Sequence, residues 1–208
     1  GVTDEEMIER VSSVIGEVLG RDQIPVVLGG EHTVTLGAMS ALVEKYGTGF
    51  GVIQFDAHAD LRNEYDGTPY SHACVMRRIH EQGISVVQIG VRSLCREQQT
   101  YRDSNRETLF WTDAREIALD GLPETLLPDG FPRRVYLTFD VDGLDPSVVP
   151  GTGTPEPGGL DWYTALEAVR RVWTGRDVLG FDVVEMAPIP RTHVSEIAGA
   201  NSVYSIMG

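Results

Sequence analysis

The chain has 208 residues and a formal net charge of −14, with 31 acidic side chains against 17 basic ones. That excess argues against a nucleic-acid backbone as partner, because surfaces that bind one are basic, and it suits cationic small molecules or metal ions. No apolar run reaches the roughly 18 residues of a membrane span. The two cysteines, Cys74 and Cys95, make no disulfide framework and lack zinc spacing. No signal peptide is visible, so a reducing, cytoplasmic compartment is expected.

Thr3-Asp4-Glu5-Glu6 has capping-box spacing, and Met7, Val11, Val14, Ile15 and Val18 follow at helical intervals. Ile24 to Leu28 reads as a short buried strand stopped by Gly29-Gly30, and Val34 to Tyr46 as a helix ended by Gly47. Phe50 to Phe55 is a second apolar strand, Ser71 to Gln82 a helix, Ser85 to Val91 a third strand and Leu94 to Arg102 a helix. Thr108 to Thr112 is a fourth strand, and Asp120 to Arg133 a Pro/Gly-rich loop. Val135 to Phe139 is the fifth strand, and Asp145 to Gly159 a long loop without lysine, so no phosphate cradle. Asp161 caps a helix through Trp173, Val178 to Val184 is the sixth strand, and Val194 to Ser205 a last helix. Alternating helices and strands apolar on both faces predict one α/β domain over residues 1–208, a mainly parallel sheet between helical layers. The chain starts at Gly1 with a helix already under way, and an N-terminal segment is expected to be lacking.

Ligands of such sheets sit beyond the carboxyl ends of the strands. Glu31-His32 follow the first strand, Asp56-Ala57-His58-Ala59-Asp60 the second, Asp140-Val141-Asp142 the fifth and Glu185 the sixth. In extended chain, residues two apart point the same way, so Asp56, His58 and Asp60 can converge, as can Asp140 and Asp142. One strand-end aspartate is ordinarily a helix cap. Carboxylates gathered at one rim with two histidines repel without cations. The four charges of Asp56, Asp60, Asp140 and Asp142 match two divalent ions, and carboxylate with imidazole suits manganese or another borderline-to-hard metal. Such a pair lowers the pKa of bound water from about 15.7 to near 7, so hydrolysis is expected. His72, at the start of a helix, is the candidate to move a proton, although a surface helix residue fits its spacing equally well. Glu185 is not needed for charge balance and is available to a cationic substrate.

The segments "GGEHTVTLG", "FDAHAD", "YSHA", "FDVDGLDPSVVPGTGTPEPGG" and "GFDVVEM" together resemble the ureohydrolases, the arginase and agmatinase family, over nearly the whole chain. The resemblance implies a three-layer αβα fold with two Mn2+ per chain. It implies His32 and Asp60 as ligands of one metal, His58 and Asp142 of the other, and Asp56 and Asp140 as bridging carboxylates. It further implies His72 as proton shuttle, Glu185 as the acid that holds the guanidinium, Asp142 steadying the tetrahedral intermediate, and Thr154 lining the substrate site. The reaction implied is hydrolysis of a guanidinium to urea and an amine, in a homotrimer or homohexamer. The interval "LRNEYDGTPYS" is more like that of agmatinases. Glu64 and Asp66 there are expected to favour a cationic or neutral tail, with Asn63 a candidate tail contact. Agmatine is the expected substrate, with putrescine and urea as products; a related guanidino-acid hydrolase or arginase, a non-catalytic metal-binding relative, and a deacetylase-like amidohydrolase are the alternatives. The segment "APIPRTHV" departs from the family pattern. His80 and His193 read as exposed, Cys74 as a small buried residue, and the three tryptophans as packing.

Overall fold

A computed structural model describes residues 2–208. Helix α1 (Asp4–Gly20) starts at the predicted capping box, with Glu6 N–H donating to Thr3 Oγ1 at 3.2 Å and Thr3 N–H donating to Glu6 Oε2 at 3.1 Å. Strand β1 (Val26–Leu28) and helix α2 (Val34–Tyr46) follow. Strand β2 (Gly51–Phe55) leads through a loop to a 3₁₀ turn (His72–Cys74) and α3 (Val75–Glu81). Then come β3 (Ser85–Ile89), α4 (Arg96–Ser104), β4 (Leu109–Thr112) and α5 (Ala114–Asp120). Strand β5 (Arg134–Asp140) ends in a 3₁₀ turn (Val141–Gly143), followed by α6 (Trp162–Trp173), β6 (Asp177–Val184) and α7 (Val194–Met207). No helix among the described residues is long and apolar enough to cross a membrane.

The strands form one sheet in the order β1-β6-β5-β2-β3-β4, with every pairing parallel. Successive side chains go to opposite faces. Val52, Val86 and Tyr136 pack with Leu42, Met76 and Ile79 under α2 and α3, whereas Ile53, Val87 and Leu137 pack with Ile117, Ala168 and Val172 under α5 and α6. The result is the expected three-layer arrangement, and burial of these two apolar faces is its main stabilisation. The sheet winds one way from β2 to β4 and the other way through β5 and β6. Its topological switch point therefore lies between β2 and β5, where a crevice opens at the carboxyl ends.

Three elements differ from expectation. The first strand is not buried: it is the sheet edge, paired only with β6, and Leu28 is 70% exposed. Val14 of the predicted α1 stripe is also exposed, because the helix sits on α2 through Val11, Ile15 and Leu19, with Val11 against Gly37. Helix α5 was not anticipated, although Asp113 and Glu116 form a capping box, with Asp113 N–H donating to Glu116 Oε2 at 3.1 Å.

Candidate metal centre and active site

Strand β2 stops at Phe55, but the chain stays tied to the end of β3 a little further, with Asp56 N–H donating to Ile89 O at 3.2 Å and His58 bridging to Ser93, before it turns away. Asp60 has φ 51°, in the left-handed region. Asp56, His58 and Asp60 therefore do not line one extended face, as the two-residue spacing suggested. They splay around Asp56. Asp60 joins His32 on one side, and His58 joins Asp142 on the other. His32 Nδ1 lies 3.3 Å from Asp56 Oδ2, 3.1 Å from Asp60 Oδ2 and 3.5 Å from Asp140 Oδ2. His58 Nδ1 lies 3.5 Å from Asp56 Oδ1 and 3.1 Å from Asp142 Oδ2. Asp56 thus turns one oxygen to each group. All six of these expected ligands meet at the switch point, on the loop after β1 and the ends of β2 and β5.

Backbone groups hold the carboxylates in place. His58 N–H donates to Asp56 Oδ1 at 2.6 Å, Ala57 N–H to Asp142 Oδ1 at 3.0 Å, and Asp142 N–H to Asp140 Oδ1 at 2.8 Å. The ends of β2 and β5 approach so closely that a Cβ on Gly143 would lie 2.9 Å from Asp56 N. Arg92, which the sequence reading passed over, donates to the carbonyls of Asp142 at 2.7 Å and Glu156 at 2.8 Å, tying the 3₁₀ turn to the long loop.

The electrostatics point to a cation. Burial, then the neighbouring Asp56 charge, pushes the Asp60 carboxyl up to about 7, and burial with Asp56 and Asp142 raises Asp140 well above the carboxylate range. Burial drives His58 down, but Asp142 and Asp56 together carry it up to about 11. Protons are one way to reconcile so many buried acids, and divalent ions are another. The donor set fits the second: His32 Nδ1 is buried, has no hydrogen-bond partner, and is surrounded by three carboxylate oxygens. Its other nitrogen, Nε2, lies 2.8 Å from Thr138 Oγ1, which leaves Nδ1 to act as the ligand atom. Two groups sharing one carboxylate, built from oxygen and imidazole donors, suit a pair of divalent cations.

Beside this rim lies a cavity of about 340 Å³, lined in part by His58, His72, Arg62, Tyr65 and Thr154. Thr154 Oγ1 donates to Asp142 Oδ2 at 3.2 Å. His72 Nδ1 lies 3.3 Å from Glu31 Oε1, and that partner holds the imidazolium above its ordinary range. Glu31 is a site residue that sequence reasoning noted but gave no role; its position one residue before His32 was the available signal. Glu185 sits at φ 63°, where its N–H donates to Gly30 O at 2.7 Å and its Oε1 accepts from His32 N–H at 2.7 Å; burial pushes its carboxyl up.

The wall after Asp60 departs from expectation. Tyr65 and Thr68 exchange backbone hydrogen bonds of 3.0 and 3.1 Å across Asp66-Gly67, both at positive φ, a tight turn of the Asp-Gly kind. This turn carries Glu64 and Asp66 outward, away from the cavity, so they do not give it an acidic tail pocket. Asn63 is also exposed and outside the cavity: its Oδ1 accepts from Arg78 and its N–H donates to Glu97 Oε1. The residues that do face the cavity are Arg62 and Tyr65, with the guanidinium 5.3 Å from the ring centroid. His80, expected to be exposed, is buried and lies 2.7 Å from Tyr101 Oη and 2.9 Å from Thr108 Oγ1. His193 is exposed and Cys74 buried, as expected.

A parallel α/β sheet with a two-lobed, carboxylate-rich donor set at its switch point defines a class of cation-site proteins. A family model described as the Arginase family matches residues 1–208, and the chain belongs to that family. It is 37% identical over 205 residues to an N(1)-aminopropylagmatine ureohydrolase of Synechocystis sp., covering 98% of this chain and 66% of that protein. It is 35% identical to an agmatinase of Pyrococcus horikoshii, covering 100% of this chain and 71% of that one. Among solved structures, the arginase from Medicago truncatula superposes with a TM-score of 0.87 at 32% identity, over 99% of this chain and 66% of the other. The chain thus spans about two thirds of the length of these relatives.

Proposed function

We propose that this chain is a ureohydrolase with two Mn2+, hydrolysing agmatine to putrescine and urea. The observation that carries the reading is Asp56 standing in both donor groups at once, with Glu185 and His72 outside them. His32 and Asp60 would hold one ion and His58 and Asp142 the other, with Asp56 and Asp140 between. Ions bound there supply hydroxide at neutral pH. The chain's own residues do the rest. Glu185 keeps its backbone partner through Oε1, leaving Oε2 for a guanidinium N–H; charge-assisted pairing of this kind orients the planar group. Asp142, held by Ala57 N–H and Thr154, would steady the tetrahedral intermediate. His72, whose imidazolium Glu31 favours, would give a proton to the departing amine, and agmatine plus water become putrescine plus urea.

Glu156, whose carboxylate lies 3.9 Å from His58 Nε2 and has no other role here, supports a substrate with a cationic tail, and the names of the two curated relatives support agmatine or its N1-aminopropyl derivative. Arg62 in the cavity wall supports a second reading, a guanidino acid whose carboxylate it would meet. The test is urea release from manganese-loaded protein given agmatine, N1-aminopropylagmatine, 4-guanidinobutyrate or arginine. Urea from the amine-tailed pair alone is expected. Urea only from a guanidino acid selects the second reading, and no urea from protein holding two ions per chain overturns both. Cytoplasmic homotrimers or homohexamers belong to the same proposal, and sedimentation of the purified protein reads the assembly.

A further inference from the structure

One layer below the rim, on the face covered by α2 and α3, a row of polar side chains crosses the sheet: Gln88 on β3 pairs with Gln54 on β2, Gln54 with Thr138 on β5, and Thr138 with Asp182 on β6. All four are completely buried. Polar groups at the centre of a sheet are costly unless fully bonded, and here most of their bonds run in one direction. Arg102 of α4, also completely buried, donates through Nε to Gln88 Oε1 at 2.9 Å. Gln88 Nε2 donates to Gln54 Oε1 at 2.5 Å and to Ala59 O at 2.7 Å. Gln54 Nε2 donates to Asp56 Oδ2 at 2.7 Å.

An amide can face either way, but the ends of this chain cannot. A guanidinium only donates and an ionised carboxylate only accepts. With Arg102 at one end, Gln88 must present its oxygen to the arginine and its NH2 to Gln54, and Gln54 must present its NH2 to Asp56. Asp56 Oδ2 is thereby fixed from below while His58 N–H fixes Oδ1, so the carboxylate is held in the orientation that spans both donor groups.

We propose that Arg102, acting through Gln88 and Gln54, is the positioning residue that orients Asp56 to bridge two metal ions. Its guanidinium is anchored by Asp113, with Nη1 donating to Oδ1 at 3.0 Å. The proposal rests on the metal-centre reading above. It also accounts for a buried cation that contacts neither metal ligand nor cavity.

The experiment is calorimetric titration of the metal-free protein with Mn2+, with the paramagnetic resonance spectrum of the loaded protein as a second readout. Wild type is expected to bind two ions with the spectrum of a spin-coupled pair. Gln88→Glu keeps the size and the Arg102 bond but cannot donate to Gln54, which is then free to turn its oxygen towards Asp56. We expect manganese affinity about 10–100-fold weaker, the usual cost of losing a group that supports a ligand, and a loss of coupling. Arg102→Met should do the same, and Arg102→Lys, still a pure donor, should recover part of the loss. Should Arg102→Met not fold, Gln88→Glu and Gln54→Met decide. Unchanged affinity and coupling in folded Gln88→Glu and Gln54→Met would overturn the proposal. Wild type that binds no manganese would overturn the metal reading itself, a different result from weakened variants beside a competent wild type.

Discussion

The rim at the strand ends and the wall formed by residues 61–71 border one cavity, yet they are built differently. Rim side chains leave the backbone at or just beyond the ends of hydrogen-bonded strands. Asp56, Asp140 and Asp142 are at most 3% exposed, and each accepts a backbone N–H. The wall is a loop around an Asp-Gly turn, and Asn63, Glu64 and Asp66 are exposed. A side chain fixed by the ladder has one position to offer a ligand, whereas one on a surface loop has several. The rim therefore suits chemistry that tolerates little displacement, and on the proposed function the wall is where a substrate's tail would be selected.

The strongest way to break this contrast is at Asp56. Asp56→Ala removes the oxygen pair common to both donor groups, and we expect manganese per chain to fall and urea release to drop beyond the roughly 100-fold typical of supporting residues. Elemental analysis of the purified variant measures the first and urea assay the second. Two tightly held ions in Asp56→Ala would mean that the rim is not organised around it.

Metal removal tests the same region without mutation. A ligand that binds only the folded state at about 100 times its dissociation constant adds roughly 2.7 kcal/mol, which for a chain of this size corresponds to about 5–10 °C in Tm. Chelation should lower Tm by that order, and manganese should restore it. Binding displaces protons from Asp60 and Asp140, both raised in the metal-free protein, so the gain should shrink as the pH is lowered. An unchanged Tm after verified metal removal would contradict the charge argument.

Smaller effects are expected at the wall. Arg62→Met takes one cation from the cavity lining. At a water-exposed site a unit charge pair is worth about 1 kcal/mol at 4 Å, so KM for an amine-tailed substrate should fall by up to about fivefold, with little change in kcat. Asn63→Ala, outside the cavity, should change neither constant by more than about twofold, since exposed substitutions cost little. A large effect at Asn63 and none at Arg62 would show that the loop moves when substrate binds.

The same division governs what could be read from the sequence. Helix α2 was legible because period and capping are local rules, and the gathering of the rim because a parallel sheet brings its strand ends together; the two-residue spacing did not give the rim's arrangement, which depends on Asp60 turning to φ 51°. Leu28 was misread as buried because an apolar run does not say whether its strand has one neighbour or two. The directions of Glu64 and Asp66 depend on two positive-φ residues, although Asp-Gly was a usable turn signal. Arg102 was invisible for another reason. On a helix otherwise as polar as "REQQTYRDS" nothing distinguishes the one charged side chain that turns inward to meet Gln88.

His80 gives the smallest effect and the cleanest control on the rim. It too is a buried histidine misread from its polar neighbours, but its ring hydrogen-bonds to two hydroxyls, from Tyr101 and Thr108, and the nearby charges of Glu81 and Arg77 act on it in opposite directions. Burial therefore dominates and holds its imidazolium below the ordinary range, the opposite of His58, where the aspartates win. The sign of the linkage follows. Well above pH 6.5 both folded and unfolded chains carry neutral His80. As the pH falls below about 6.5 the unfolded chain takes up a proton first, so the contribution of His80 to stability is present above that pH and is lost as the pH drops through the folded value. The difference in unfolding free energy between wild type and His80→Gln should accordingly narrow between pH 7.5 and 5, and the His80 proton resonance should titrate with a midpoint below 6.5. A midpoint above 6.5 would mean that an acidic group reaches this ring as well, and that carboxylate partners are not what sets the rim histidines apart.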